Sequence, residues 1–176
     1  MIEVIAILVI ILIAAILIFA TTKPDTFRVE RMISIKGSPE KIFPLINDIR
    51  TMQTWSPWEK LDPNMKRTYS GPASGQGAAY AWEGNSKIGT GRMEILDSTP
   101  PSKAVFKLDF LKPIEGHNTV EIVLEQRGDE TTVTHSMFGP SPFISKVMSL
   151  FFSMDKMVGD KFAEGLANLK ALAEKQ

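Results

Sequence analysis

Apolar residues run without interruption from Val4 to Ala20, and from Phe27 onward that continuous pattern gives way to alternation. At ~1.5 Å of helical rise per residue the run reaches ~25 Å, close to the hydrocarbon thickness of a bilayer once the flanking threonines are counted. It reads as a membrane-spanning helix. A cleaved signal peptide fits less well, because no Lys or Arg precedes the run, it is longer than a usual signal core and no A-x-A site follows it. TTKPDT, residues 21 to 26, is polar and short. The expected layout is therefore a transmembrane anchor over residues 1–22, a linker over 23–26 and one folded domain over 27–176.

Within that domain, FRVERMISIK (27–36) sets Phe27, Val29, Ile33 and Ile35 on one face of a strand, with Arg31 interrupting the face. Ser38 and Pro39 then have the character of an N-cap and a first helical residue, and Ile42, Leu45 and Ile46 form a short apolar stripe that Pro44 should break or kink. A second short helix is expected from Ile49 to Trp55, closed by Ser56-Pro57, because the residue before a proline avoids helix. MKRTYS, GAAYAWEG, IGTGRMEILDS, KAVFKLDFLKP, NTVEIVLEQR and ETTVTHSMFG each alternate, and GPASGQG, GNSK, STPPS, PIEGH and RGDE separate them. Short strands joined by tight turns predict an antiparallel sheet. From Pro142 to Gln176, Val147, Phe151, Met154, Val158, Phe162, Leu166, Leu169 and Leu172 recur at helical steps, which predicts one long helix burying its stripe against the sheet. Phe143, Leu150 and Phe152 lie off that stripe, so the helix begins apolar nearly all round. The predicted fold is α+β, a curved antiparallel sheet gripping a long C-terminal helix, preceded by one transmembrane helix.

Composition narrows the chemistry. The 176 residues carry 20 Lys+Arg, 20 Asp+Glu, two histidines and no cysteine. Disulfides and thiolate metal sites are excluded, and scattered basic residues with no net charge give no field for nucleic acid. Lys23, Arg28 and Arg31 follow the apolar run while Glu3 precedes it, so the positive-inside rule assigns the single-pass chain a cytoplasmic domain. GPASGQG precedes a strand, so it presents no helix N-terminus to a phosphate. GTG at residues 89 to 91 marks a bulge or a close approach of backbone or ligand. Glu59 and Asp62 read as solvated turn acids or caps, Glu83 and Asp109 as outer-face or strand-end acids, and His117 as an exposed turn histidine. Two histidines on separate segments suggest no metal site, and no cofactor is expected. His135, between Val133 and Met137 on an inward face, is the single candidate for acid–base work, with a satisfied core histidine as the competing reading.

FRVERMISIKGSPEKIFPLINDI, WSPWEKLDPNMKRTYSG, GAAYAWEGNSKIGTGRMEI and DKMVGDKFAEGLANLKALAE together resemble the polyketide cyclase/dehydrase-like branch of the START-related helix-grip (SRPBCC) superfamily, over residues 27 to 174. The resemblance implies an elongated cavity between the concave sheet face and the long helix. Alternation nominates its walls: Tyr80 and Trp82 on one strand, Met93 with Ile95 on the next, Phe106, Leu108 and Phe110 on a third, Val133, His135 and Met137 on a fourth. A packed core would give the same alternation. In this fold Trp55 and Trp58 lie at one rim, suited to closing a pocket or to meeting a headgroup layer, or else to plugging the structure, and Phe151 belongs to the apolar surface that completes a mouth. The implied function is membrane-tethered binding of a hydrophobic small molecule, a lipid, a quinone or a polyketide-like ring system. The alternatives are a cyclase- or dehydratase-type enzyme using the same cavity, or an interaction domain with a filled core.

Overall fold

A computed structural model describes residues 1–175; Gln176, the end of the predicted helical tail and of the predicted domain, lies outside them. The chain forms α1 (Ile2–Thr21), β1 (Thr26–Lys36), α2 (Pro39–Asn47), α3 (Ile49–Trp55), a 3-10 turn (Pro57–Lys60), β2 (Lys66–Ser70), β3 (Ala79–Glu83), β4 (Thr90–Thr99), β5 (Lys103–Lys112), β6 (Gly116–Arg127), β7 (Glu130–Pro140), α4 (Phe143–Met148) and α5 (Met154–Ala173). β2 to β7 follow one another as an antiparallel meander, and β1 returns to pair with β7, giving the order β1-β7-β6-β5-β4-β3-β2 in one curved sheet. In the β1–β7 register Thr26 faces Pro140 and Lys36 faces Glu130, so the linker enters beside the end of β7.

Side-chain period decides what each strand buries. Val29 and Ile35 of β1, Ile95 of β4, Phe106 of β5, Ile122 of β6 and Val133 of β7 are all nearly inaccessible. Opposite them α5 contributes Phe162, Leu166 and Leu169, and α2 contributes Ile42 and Ile46. α5 lies across β1 and β7 and also meets α2, α3 and the 3-10 turn, which is the grip.

Three local features depart from the sequence pattern. The helix after β7 is not continuous: α4 ends at Met148 and α5 starts at Met154. Ser149 Oγ donates to the Lys146 carbonyl at 2.7 Å, and Ser153 Oγ accepts from Lys156 N at 3.2 Å, so one serine closes a helix and the other opens the next. Phe151 and Met154, counted in the buried stripe, are therefore 64% and 41% exposed. α2 runs three residues past Pro44, to Asn47, before Asp48 caps α3 by accepting from Thr51 N at 2.9 Å. Lastly, Arg31 on the inward face of β1 is accommodated by α5: its guanidinium binds both Asp155 carboxylate oxygens at 2.9 and 3.0 Å and lies where a Cβ on Gly159 would collide.

α1 is long and apolar enough to cross a membrane. It packs against α4, and the Asp25 carboxylate, just beyond α1, pairs with Lys146 of α4.

Candidate functional site

The concave face of the sheet, α3 and α5 enclose a cavity of about 720 Å³. It exists because the two layers part company along their length. At one end α2 packs down over β5 and β6 and seals the core, with Phe106 fully buried there. At the other end α3 and the first half of α5 stand further out, and the inward side chains of β3 to β7 face open space.

The aromatic wall comes from neighbouring strands. Tyr80 stacks on Tyr69 with ring centroids 6.1 Å apart and lies 5.5 Å from Trp82, and Trp82 meets Phe110 edge-on at 6.0 Å. Such offset and edge-to-face contacts keep large rings in fixed positions. Gly91 makes room for this wall, because a Cβ there would run into the Trp82 indole. The expected irregularity at GTG is present as a register shift between Thr90 and Gly91. Trp82 Nε1 donates to the Ile88 carbonyl at 3.3 Å.

Of the residues nominated from the sequence, Trp55, Trp58, Tyr80, Trp82, Met93, Phe110, His135 and Met137 line the cavity. Phe106 and Phe151 do not. Phe106 shares its strand face with Phe110 but lies under α2 as core, and Phe151 sits in the α4–α5 break and faces outward. Trp55 combines both readings: it is 3% exposed, its Nε1 donates to the Leu45 carbonyl at 2.9 Å, and one edge still reaches the cavity. Trp58 is half-buried and faces the cavity from the 3-10 turn. Phe152 and Met148, within the apolar stretch expected to complete a mouth, do line the cavity, whereas sequence reasoning missed Gln53 of α3 and Met157. The methionines and phenylalanine were visible as apolar positions, but which way they face depends on the helix break.

The electrostatics differ between wall and rim. His135 is 9% exposed, stacks on Phe162 at 3.8 Å and meets Trp55 edge-on at 6.3 Å. Burial pushes its pKa down to about 3, so the imidazole is neutral at physiological pH. Burial, reinforced by the Glu59 charge, raises the Tyr80 hydroxyl well above the usual phenol range. Glu59 is not a solvated turn acid: it accepts from Arg67 Nε and Nη2 at 2.9 and 2.5 Å and is half-buried. Asp109, expected as a plain outer-face acid, is 8% exposed and covered by Lys107 at 2.9 Å and His117 at 2.7 Å. Burial alone would raise the Asp109 pKa, but those two hydrogen bonds outweigh it and the net shift is downward. His117, exposed at the rim, is raised in turn, chiefly by its bond to Asp109. Among the described residues no three His, Asp or Glu side chains converge as a metal-binding group. What the arrangement can do is hold an apolar molecule in an aromatic and methionine-lined space with a few neutral polar contacts.

Over residues 26–174 the chain matches the family model described as polyketide cyclase / dehydrase and lipid transport. No curated protein matches it. Similar solved structures include protein MLL2253 from Mesorhizobium loti, at 15% identity over 86% of this chain and 98% of that one, with a TM-score of 0.59. The di-domain ARO/CYC StfQ from the steffimycin biosynthetic pathway is 12% identical over 85% of this chain and 51% of that one, with a TM-score of 0.62. Major latex-like protein 151 from Panax ginseng is 12% identical over 85% and 99%, with a TM-score of 0.58. At such identities the likeness is one of fold: a curved antiparallel sheet around a C-terminal helix.

Proposed function

The chain belongs to the polyketide cyclase / dehydrase and lipid transport family, and from that premise we propose that it is a membrane-tethered binding protein holding a hydrophobic small molecule, a lipid, a quinone or a polyketide-like ring system, between the sheet and α5. The observation that carries this reading is the cavity of about 720 Å³ walled by Trp55, Trp58, Tyr80, Trp82, Met93, Phe110, His135 and Met137. Filling it removes ligand hydrocarbon from water at ~25 cal/mol per Å², and aromatic and methionine walls adapt to several skeletons. A space of this size also speaks against an interaction domain with a filled core.

The tether is α1, and the domain begins within a few residues of it. α1 packs against α4, whose Ser145 and Met148 belong to the cavity lining, so the mouth opens on the anchored side of the domain. By the positive-inside rule that domain is cytoplasmic. An enzyme would need a group that exchanges protons near neutral pH, with a partner to steer it. His135, neutral down to about pH 3 and without a carboxylate beside it, supplies neither, and the His117–Asp109 pair, which has both, stands exposed at the rim and not against the enclosed part of the cavity. Binding is therefore the reading with physical support.

The test is native mass spectrometry of the full chain, excised with its surrounding bilayer from its own host, together with lipid extraction. A co-purifying apolar molecule in stoichiometric amount is expected. An empty protein that also binds none of a panel of lipids and quinones would overturn the reading.

A further inference from the structure

The cavity wall is apolar, but three of its side chains, Gln53, Tyr80 and His135, present hydrogen-bonding atoms that nothing in the protein uses. Gln53 Nε2 and His135 Nδ1 are the side-chain nitrogens enclosed without a partner among the described residues. An enclosed N–H with no acceptor is costlier than an enclosed lone pair, so the single proton of the neutral His135 ring resides on Nε2, the nitrogen with access to the cavity. Stacking on Phe162 and the edge contact with Trp55 hold the ring plane, so this donor is aimed rather than mobile. Tyr80 provides the second: it lines the cavity, its ring is held between Tyr69 and Trp82, and its hydroxyl makes no hydrogen bond among the described residues. β3 and β7 stand four strand spacings apart, about 19 Å along the sheet, so the two donors address different parts of a bound molecule.

Charge is confined to the rim. Glu59 is neutralised by Arg67, Lys161 pairs with Glu164 at 2.7 Å, and Lys87, Glu115 and His117 are exposed. A carboxylate or an amine carried inward would find no counter-charge and would be stripped of water.

Resting on the binding reading above, we propose that the cavity selects an uncharged, oxygen-bearing ligand, an apolar skeleton whose carbonyl or hydroxyl oxygens accept hydrogen bonds from His135 Nε2–H and Tyr80 O–H. A plain hydrocarbon would cover both donors, displace the water that can reach them and offer no acceptor, and a site built around hydrogen-bond donors discriminates most against the analogue that lacks the acceptor.

The experiment measures binding of anthracene, anthraquinone and anthracene carboxylate to the full chain in phospholipid nanodiscs, corrected with empty nanodiscs. Anthraquinone is expected to bind at least about tenfold tighter than anthracene, and the carboxylate no tighter than anthracene. Anthraquinone, whose two carbonyl oxygens lie across a single ring, reaches one donor at a time, so one of Tyr80→Phe and His135→Phe, each keeping an aromatic ring in place, should lower its affinity about tenfold, the other should change it little, and both should leave anthracene within about twofold. Equal affinity for anthracene and anthraquinone, or tightest binding of the carboxylate, would overturn the proposal while leaving hydrophobic binding intact. Failure of all three probes to bind would sink the binding reading and this inference with it. The ranking on the unaltered protein decides the matter even if a variant does not fold.

Discussion

His135 ties the site to the stability of the domain. Its folded pKa of about 3 lies below its ordinary value of 6.5, so between those limits the unfolded chain binds a proton that the native state refuses. Stability from this group is fully present above pH 6.5 and is lost at ~1.4 kcal/mol per pH unit as the pH falls toward 3. Denaturation of the full chain at pH 7 and pH 5, followed by tryptophan fluorescence, should show the wild type losing ~2 kcal/mol more than His135→Leu. Equal losses would mean that the ring is solvated. The two rim tryptophans should separate in the same assay. Trp58→Ala removes a half-buried ring and is expected to weaken ligand affinity about tenfold with a stability change under ~1 kcal/mol. Trp55→Ala takes away a buried ring that bonds Leu45, and should cost ~3 to 5 kcal/mol. Alternation named the inward face of β1, β3, β4, β5 and β7, so Tyr80, Trp82, Met93 and Phe110 could be read from the sequence. It does not tell where along the groove a residue falls. Phe106 and Phe110 share a face, and only the position of α2 makes one of them core and the other wall.

At the scale of elements, α5 carries the packing and α4 the mouth. Leu166 is 1% exposed at the centre of the grip, and Leu166→Ala should destabilise the domain by ~2 to 5 kcal/mol, read from denaturant midpoints at constant slope. A loss below ~1 kcal/mol would indicate that the interior collapses around the substitution. Strand count and the run of β2 to β7 were legible because glycine- and proline-rich loops join them and leave little choice but a meander, whereas the pairing of β1 with β7 was not. The break between α4 and α5 was harder to see, because the apolar spacing carries straight through Leu150 and Phe151. Its signal was Ser153 with Asp155 two places on, a helix start hidden inside a periodic run. Arg31 shows the same limit from the other side. As a charge on an inward face it contradicts the pattern, and its reason lies 124 residues away in Asp155 and in the missing side chain of Gly159.

For the whole molecule, the register of β1 with β7 links the cavity to α1. Thr26, next to the linker, faces Pro140, and Ser141 N donates to the Asp25 carbonyl at 2.7 Å, while Pro140 and Ser141 both line the cavity. The opposite end of these strands, Lys36 and the Gly128-Asp129 turn, is about 34 Å from the anchored end if the strands are extended. Exposed Phe143 and Ile144 belong to α4, the helix packed against α1, where a bilayer surface would shield them from water. These relations make the crossing of α1 testable with two cysteines introduced into a chain that has none. Asp129→Cys lies in an exposed turn far from the headgroups, and Glu3→Cys lies before α1. In intact cells a membrane-impermeant maleimide is expected to label Glu3→Cys and to reach Asp129→Cys only after permeabilisation. The reverse pattern would keep the span but move the cavity to the outer side, where its ligand would have to come from a different leaflet. Labelling of both sites from outside would mean that α1 lies on the surface without crossing, and the apolar run would then be an interfacial or core helix despite its length.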